Sequence, residues 1–144
     1  MERLCLRYLS RREYGRDELR QKLVAKGFPG ALVEGVLADL SRAGWQSDAR
    51  FAASLAQSRA AKGYGASRIR HELRQRGIES EAEPDWKDID WDDVIERAYV
   101  KKFGNTIPAS LAERAARENF LIRRGFARDQ VRRLFRRLRE GADA

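Results

Sequence analysis

Apolar residues recur along most of the chain at intervals of three and four, the period of one helix face, and nowhere alternate as in a half-buried strand. The pattern predicts helices throughout. The first, over 3–11, turns Leu4, Cys5, Tyr8 and Leu9 inward, and Tyr14 and Gly15 then turn the chain. A second helix, about 16–26, presents Leu19 and Leu23, with Asp17 and Glu18 near its positive N-terminal end. The third, about 29–43, takes Pro29 into its first turn and buries Leu32, Val33, Val36, Leu37 and Leu40. Gly35 inside it costs about 1 kcal/mol relative to alanine and reads as a tolerated position.

Gly44 and Trp45 end this first group, and Ser47 or Asp48 caps a fourth helix that buries Phe51, Ala52 and Leu55 and runs towards Lys62. A fifth, about 66–76, turns Ile69 and Leu73 inward. The sixth helix, expected over 79–87, is poorly supported: the stretch is acidic, Pro84 interrupts it, and Trp86 is its one large apolar residue. It reads as a flexible, solvated acidic joint. Asp90 caps a seventh helix carrying Trp91, Val94, Ile95, Ala98 and Tyr99, and Gly104 stops it. Pro108 starts an eighth through Leu111, Ala115, Phe120 and Ile122 to Gly125; a ninth, about 128–140, closes the chain.

The helices repeat. Residues 62–78 restate the framework of 12–28: Tyr14 and Tyr64, Gly15 and Gly65, Leu19 and Ile69, Arg20 and Arg70, Leu23 and Leu73, Gly27 and Gly77, Phe28 and Ile78 coincide without a gap. A third copy keeps Leu121, Gly125 and Phe126, and its next helix repeats Val33, Val36, Leu37 and Leu40 as Val131, Leu134, Phe135 and Leu138. What recurs is a spacing of buried side chains, so the repeat is a packing module. The expected fold is all-α, three tandem three-helix modules over 1–46, 47–88 and 89–144 in an elongated, curved array, the last helix of the second module being short or degraded.

Composition narrows the function. Of 144 residues, 42% are hydrophobic and 36% charged, which suits several small cores in tandem better than one large one. No run of about 18 apolar residues offers a membrane span, and the chain reads as a soluble, cytoplasmic monomer. Cys5, the one cysteine, lies on an apolar helix face and reads as a core thiol. The net charge of +8 favours a polyanionic or acidic partner. Residues 1–50 carry +3, 51–78 carry +5, 79–98 carry −7 and 99–144 carry +7, so two basic lobes flank an acidic joint.

The ninth helix presents the most informative surface. With its apolar residues inward, Arg128, Arg132, Arg136 and Arg139 form a ridge, and Arg133 and Arg137 occupy another side. Arg123 and Arg124 add to the same lobe, and Arg59, Lys62, Arg70 and Arg74 form a second basic face, Arg70 and Arg74 sharing an exposed edge four residues apart. Guanidinium forks suit phosphates and carboxylates equally. For catalysis the inventory is poor: one histidine, His71, pointing away from the core, no paired-cysteine or HExxH motif, and no glycine-rich phosphate loop. Asp88, Asp90, Asp92 and Asp93 lack calcium-loop spacing and sit at a helix start, where capping explains them. No enzyme, metal or cofactor is expected.

Residues 8–28 (YLSRREYGRDELRQKLVAKGF), 44–73 (GWQSDARFAASLAQSRAAKGYGASRIRHEL), 88–91 (DIDW) and 119–126 (NFLIRRGF) together resemble the RecX family of recombinase regulators. The middle block is the most specific, with Asp48, Arg50-Phe51-Ala52, Arg59, Lys62-Gly63-Tyr64-Gly65 and Ile69 in the family's order and spacing. The resemblance implies three tandem three-helix modules and a protein that binds the RecA filament on single-stranded DNA. It implies occupancy of the filament groove and inhibition of ATP hydrolysis, strand exchange and coprotease activity. Single-stranded DNA is the expected secondary partner, and the alternative is a basic helical protein acting directly on nucleic acid. Gln46 and Ser47 replace a more apolar and acidic pair usual before Asp48, and Ala66 stands where proline is common; these departures are expected to alter turn stiffness and not function.

Each repeat ends a helix at a glycine followed at once by an apolar residue, a pattern that calls for a left-handed glycine. Gly77→Ala is therefore expected to cost about 1 kcal/mol or more, read by thermal melting. An unchanged melting midpoint would remove this reading of the repeat.

Overall fold

The computed structural model describes residues 1–79 and 86–143, and among them the backbone is helical with no strand. In chain order the helices are α1 (Glu2–Arg11), α2 (Arg16–Ala25), α3 (Gly30–Arg42), α4 (Asp48–Ala61), α5 (Ala66–Gln75), α6 (Trp91–Phe103), α7 (Leu111–Arg123) and α8 (Arg128–Asp143), with a 3-10 turn at Trp86–Asp88. Most of the stretch read as an acidic joint, residues 80–85, lies outside the described residues.

The repeated glycines close helices by one mechanism. After α2, α5 and α7 the glycine amide reaches back three residues, and the next amide reaches back five: Phe28 to the Leu23 carbonyl (3.2 Å), Ile78 to Leu73 (3.0 Å) and Phe126 to Leu121 (3.2 Å). Gly77 sits at φ +78°, in the left-handed region that a side chain resists. The closure satisfies carbonyls that the helix end would otherwise orphan, and it turns Ile78 and Phe126 into the interior.

The chain divides into two compact units, one of Met1–Leu55 with Glu72–Pro84 and the other of Ala56–His71 with Asp85–Ala144. In the first, α1, α2 and α3 enclose Cys5, Tyr14, Leu19, Leu23, Val33, Leu37 and Leu40. Burial pushes the Cys5 thiol above its ordinary pKa, which keeps it protonated and unreactive. Phe51, Ala52, Leu55, Leu73 and Ile78 are buried in the same unit, and Gly15 lies against Phe51 and Ile78. Leu32 departs from the expected core: it is 58% exposed, because α3 buries the narrower stripe of Val33, Leu37 and Leu40. Gly35 faces open space, as a tolerated glycine should.

The turn before α4 holds this unit together more tightly than its sequence suggests. Ser47 is the cap of α4, accepting the Arg50 amide at 3.1 Å. Asp48 instead accepts the Arg16 amide at 2.8 Å, capping α2 from 32 residues away. Gln46 is buried; its Oε1 accepts from the Ser41 hydroxyl (2.6 Å), and its Nε2 donates to the Tyr14 carbonyl (3.2 Å) and to Asp48 (2.9 Å). The departure at Gln46 thus fixes the turn through buried hydrogen bonds.

In the second unit α6, α7 and α8 bury Ile95, Ala98, Tyr99, Leu121, Phe126, Val131, Leu134 and Phe135, with Tyr99 edge-on to Phe135 at 5.7 Å. The Tyr99 hydroxyl donates to the Thr106 carbonyl (2.5 Å) and accepts from Arg117 (2.7 Å), tying the α6–α7 connection to the core. α7 begins at Leu111, later than Pro108, because Ser110 accepts the Glu113 amide (3.1 Å) and supplies the cap. At the start of α5, the amides of Gly65 and Ser67 donate to the carbonyls of Arg124 (2.7 Å) and Gly125 (3.2 Å). Backbone meets backbone there: a Cβ on Gly65 would stand 2.4 Å from the carbonyl carbon of Gly125.

Two glycines with opposite surroundings test this packing. Gly65→Ala is expected to lower unfolding free energy by about 2 kcal/mol or more, since the obstacle is backbone that cannot step aside. Gly35→Ala is expected to raise it by about 0.5–1 kcal/mol. Denaturant titration reads both, and equal effects would contradict the close approach at Gly65.

Candidate functional site

The charged surface separates into arginines that the chain neutralises and arginines that it leaves open. On α8, Arg133 reaches Asp92 (3.5 Å) and Asp129 (3.3 Å), and Arg137 reaches Asp92 (3.6 Å) while also donating to its backbone carbonyl (3.4 Å). Asp92 thereby joins the start of α6 to the flank of α8. Arg128, Arg132, Arg136 and Arg139 are exposed and have no carboxylate within ion-pair distance among the described residues. Spaced four, four and three apart, they lie along one side of the helix.

This ridge ends beside apolar surface. Arg139 lines a groove of about 400 Å³ with Ile107, Pro108, Leu111, Phe135 and Leu138. Leu111 and Ile107 are both exposed, so the groove carries contiguous apolar surface.

The remaining residues singled out from the sequence divide. Lys62, Arg74 and Arg123 are exposed, without an ion-pair partner among the described residues. Arg59 is half-buried and engaged in an interaction of its own. Arg70 is half-buried as well, its guanidinium 5.3 Å from the Trp86 ring, so it does not share the open edge of Arg74. Arg124 is half-buried between rings, 4.8 Å from Tyr64 and 5.1 Å from Phe120. Such stacking holds a guanidinium in place without consuming its charge.

Three cations escaped the sequence reading. Arg68 covers the other contact to Tyr64, at 4.3 Å. Lys101 and Lys102 line a cavity of about 420 Å³ together with Lys62 and Arg124. Their adjacency in sequence was the available signal, but their place at the C-terminal end of α6 reads locally as a response to the helix dipole. Only the fold brings Lys62 and Arg124 to them.

Of the aspartates at the start of α6, Asp90 accepts the Asp93 amide (3.1 Å) and Asp93 pairs with Arg97 (3.0 Å). Among the described residues no group of three or more histidine, cysteine or acidic side chains is placed to hold a metal ion. No helix there is long and apolar enough to cross a membrane.

Comparison with known proteins agrees with this architecture. A family model described as the first three-helix domain of RecX matches residues 3–40, and one described as its second three-helix domain matches 47–82. The regulatory protein RecX of Stenotrophomonas maltophilia is 41% identical over 135 residues, covering 92% of this chain and 83% of its own. That of Acidithiobacillus ferrooxidans is also 41% identical, over 91% of this chain and 85% of its own. The crystal structure of RecX from Lactobacillus salivarius superposes with a TM-score of 0.74 over 95% of this chain and 93% of that one, at 16% identity, a likeness of fold.

Asp92 engages Arg137 and shares Arg133 with Asp129. Asp92→Asn is expected to cost no more than about 1 kcal/mol, as exposed ion pairs do. It should nevertheless tighten binding to heparin, a model polyanion, by freeing Arg137 and leaving Arg133 to Asp129 alone. Heparin elution at unchanged salt would show that those arginines are held by other means.

Proposed function

The chain belongs to the RecX family of regulatory proteins, and from that premise we propose that it regulates the RecA recombinase by binding the RecA filament on single-stranded DNA. Bound in the filament groove, it restrains ATP hydrolysis, strand exchange and coprotease activity. It acts by occupancy in the cytoplasm, as a monomer, without catalysis of its own. The observation that carries the reading is the open arginine ridge of α8 beside an exposed apolar groove. A surface that joins unpaired guanidinium groups to exposed leucine suits an acidic protein face with apolar anchors better than it suits bare phosphate.

The modular build supports the same reading. Tandem three-helix modules, bounded near residues 46 and 88, can engage neighbouring subunits of a repeating target, so that each contact raises the effective concentration of the next. No deep catalytic pocket is required for inhibition of this kind.

Binding to RecA-coated and to bare single-stranded DNA, measured side by side at near-physiological salt with RecA ATP hydrolysis in parallel, tests the proposal. The expected result is a preference for the coated strand together with slowed hydrolysis. Arg132→Glu with Arg136→Glu is expected to weaken filament binding roughly tenfold at unchanged helicity. Equal binding to bare DNA, with hydrolysis untouched, would favour direct action on nucleic acid instead.

A further inference from the structure

The cavity beside the Lys62–Gly63 turn lies wholly within the second unit, and its two ends differ in charge. One end is cationic. Arg124 and Lys102 approach the Phe120 ring at 5.1 and 5.7 Å, and Arg124 Nη1 lies 3.5 Å from the Lys62 carbonyl, so these residues and Phe120 form one cluster, and Lys101 lines the same cavity. The other end carries Asp88 and Asp90 at the start of α6, and between them Arg97 neutralises Asp93 at 3.0 Å. Lys62, Lys101, Lys102 and Arg124 have no carboxylate within ion-pair distance among the described residues.

We propose that the cationic end of this cavity binds the sugar-phosphate backbone of a single-stranded nucleic acid, at a site separate from the α8 ridge. Three observations favour that ligand over an acidic protein face. The surface is concave, and about 420 Å³ is within the range of small-ligand sites, enough for a nucleotide segment but narrow for a folded partner. Three of its four open cations are lysines, flexible point charges that follow phosphates along a strand without demanding the planar fork of a carboxylate. An aromatic ring stands among the cations, Phe120 beside Arg124 and Lys102, and grooves that track single strands combine rings with cations in this way.

The bland explanation is that each cation merely answers a helix C-terminus, since α4, α6 and α7 all end nearby. A helix end presents about half a negative charge. Four unpaired cations exceed what three such ends require. Asp88 and Asp90 confine an anion to the end where Lys62 and Arg124 stand. The proposal draws on the filament reading for the source of the strand, but the binding itself does not involve RecA.

The test is fluorescence anisotropy of a labelled oligothymidylate, titrated with salt, for the wild-type chain and for Lys101→Gln/Lys102→Gln. The substitutions are exposed and leave the core intact, which circular dichroism checks. Affinity is expected to fall roughly fivefold at 0.1 M salt, and the slope of log K against log salt to flatten by about 0.7 for each phosphate that is no longer neutralised. Lys62→Gln, in the same cavity, is expected to act in the same direction. Unchanged affinity and slope in both variants, or no binding by the wild-type chain, would overturn the proposal. Loss of RecA inhibition with unchanged oligothymidylate binding would assign the cavity to protein and also overturn it. Failure of the filament reading appears elsewhere, as a wild-type chain that binds the oligonucleotide yet shows no preference for the coated strand.

Discussion

The structure depends on how helix starts are satisfied. An α-helix begins with amides that have no partner within the helix, and burying them unpaired would cost more than most single contacts return. This chain supplies those partners from distant segments. The first amide of α2 is held by the carboxylate of Asp48, and the amides of Gly65 and Ser67 at the start of α5 are held by the carbonyls that end α7. Each junction couples a tyrosine–glycine turn to a later part of the chain. Glycine at 65 is what lets two backbones approach within hydrogen-bond distance.

The same economy shapes the ends. A glycine at positive φ lets the last carbonyls of a helix be satisfied and sends the next apolar side chain inward, so one residue both terminates an element and supplies a core position. Repetition of this device explains why the copies agree at Leu23, Gly27 and Phe28, at Leu73, Gly77 and Ile78, and at Leu121, Gly125 and Phe126, while their surfaces diverge. Surface charge is then free to vary between copies. Glu34 near the first copy is drawn into pairs with Arg20 and Arg16, and hydrogen bonding to Arg20 holds its carboxyl below the ordinary range. The α8 ridge has no such partners among the described residues.

Charge is therefore better understood as what remains after pairing than as a total. Arg133 and Arg137 belong to Asp92, Arg117 to Glu113 and Tyr99, and Arg76 to Glu18 and Glu72. Subtracting them leaves, among the described residues of the second unit, two groups of open cations besides single residues such as Arg123. On α8 they adjoin exposed apolar surface; near Lys62 they line a concavity with the Phe120 ring. The two settings suit different anions.

The helices, their closing glycines and most of the core were legible in the sequence, because apolar spacing and left-handed glycines are local requirements that each segment states for itself. Leu32 was not, because the width of a buried stripe depends on what packs against it; the start of α7 was set by Ser110 with Glu113 three residues on, a local capping signal that Pro108 overshadowed. Gln46 was invisible for a stronger reason, since its partners at Tyr14 and Ser41 become neighbours only after the chain folds. The arginine ridge on α8 followed from helical period alone. Which arginines are cancelled, and which lysines gather around Arg124, were decided by the tertiary structure, because ion pairs and cavities arise from distances between helices that no single helix encodes.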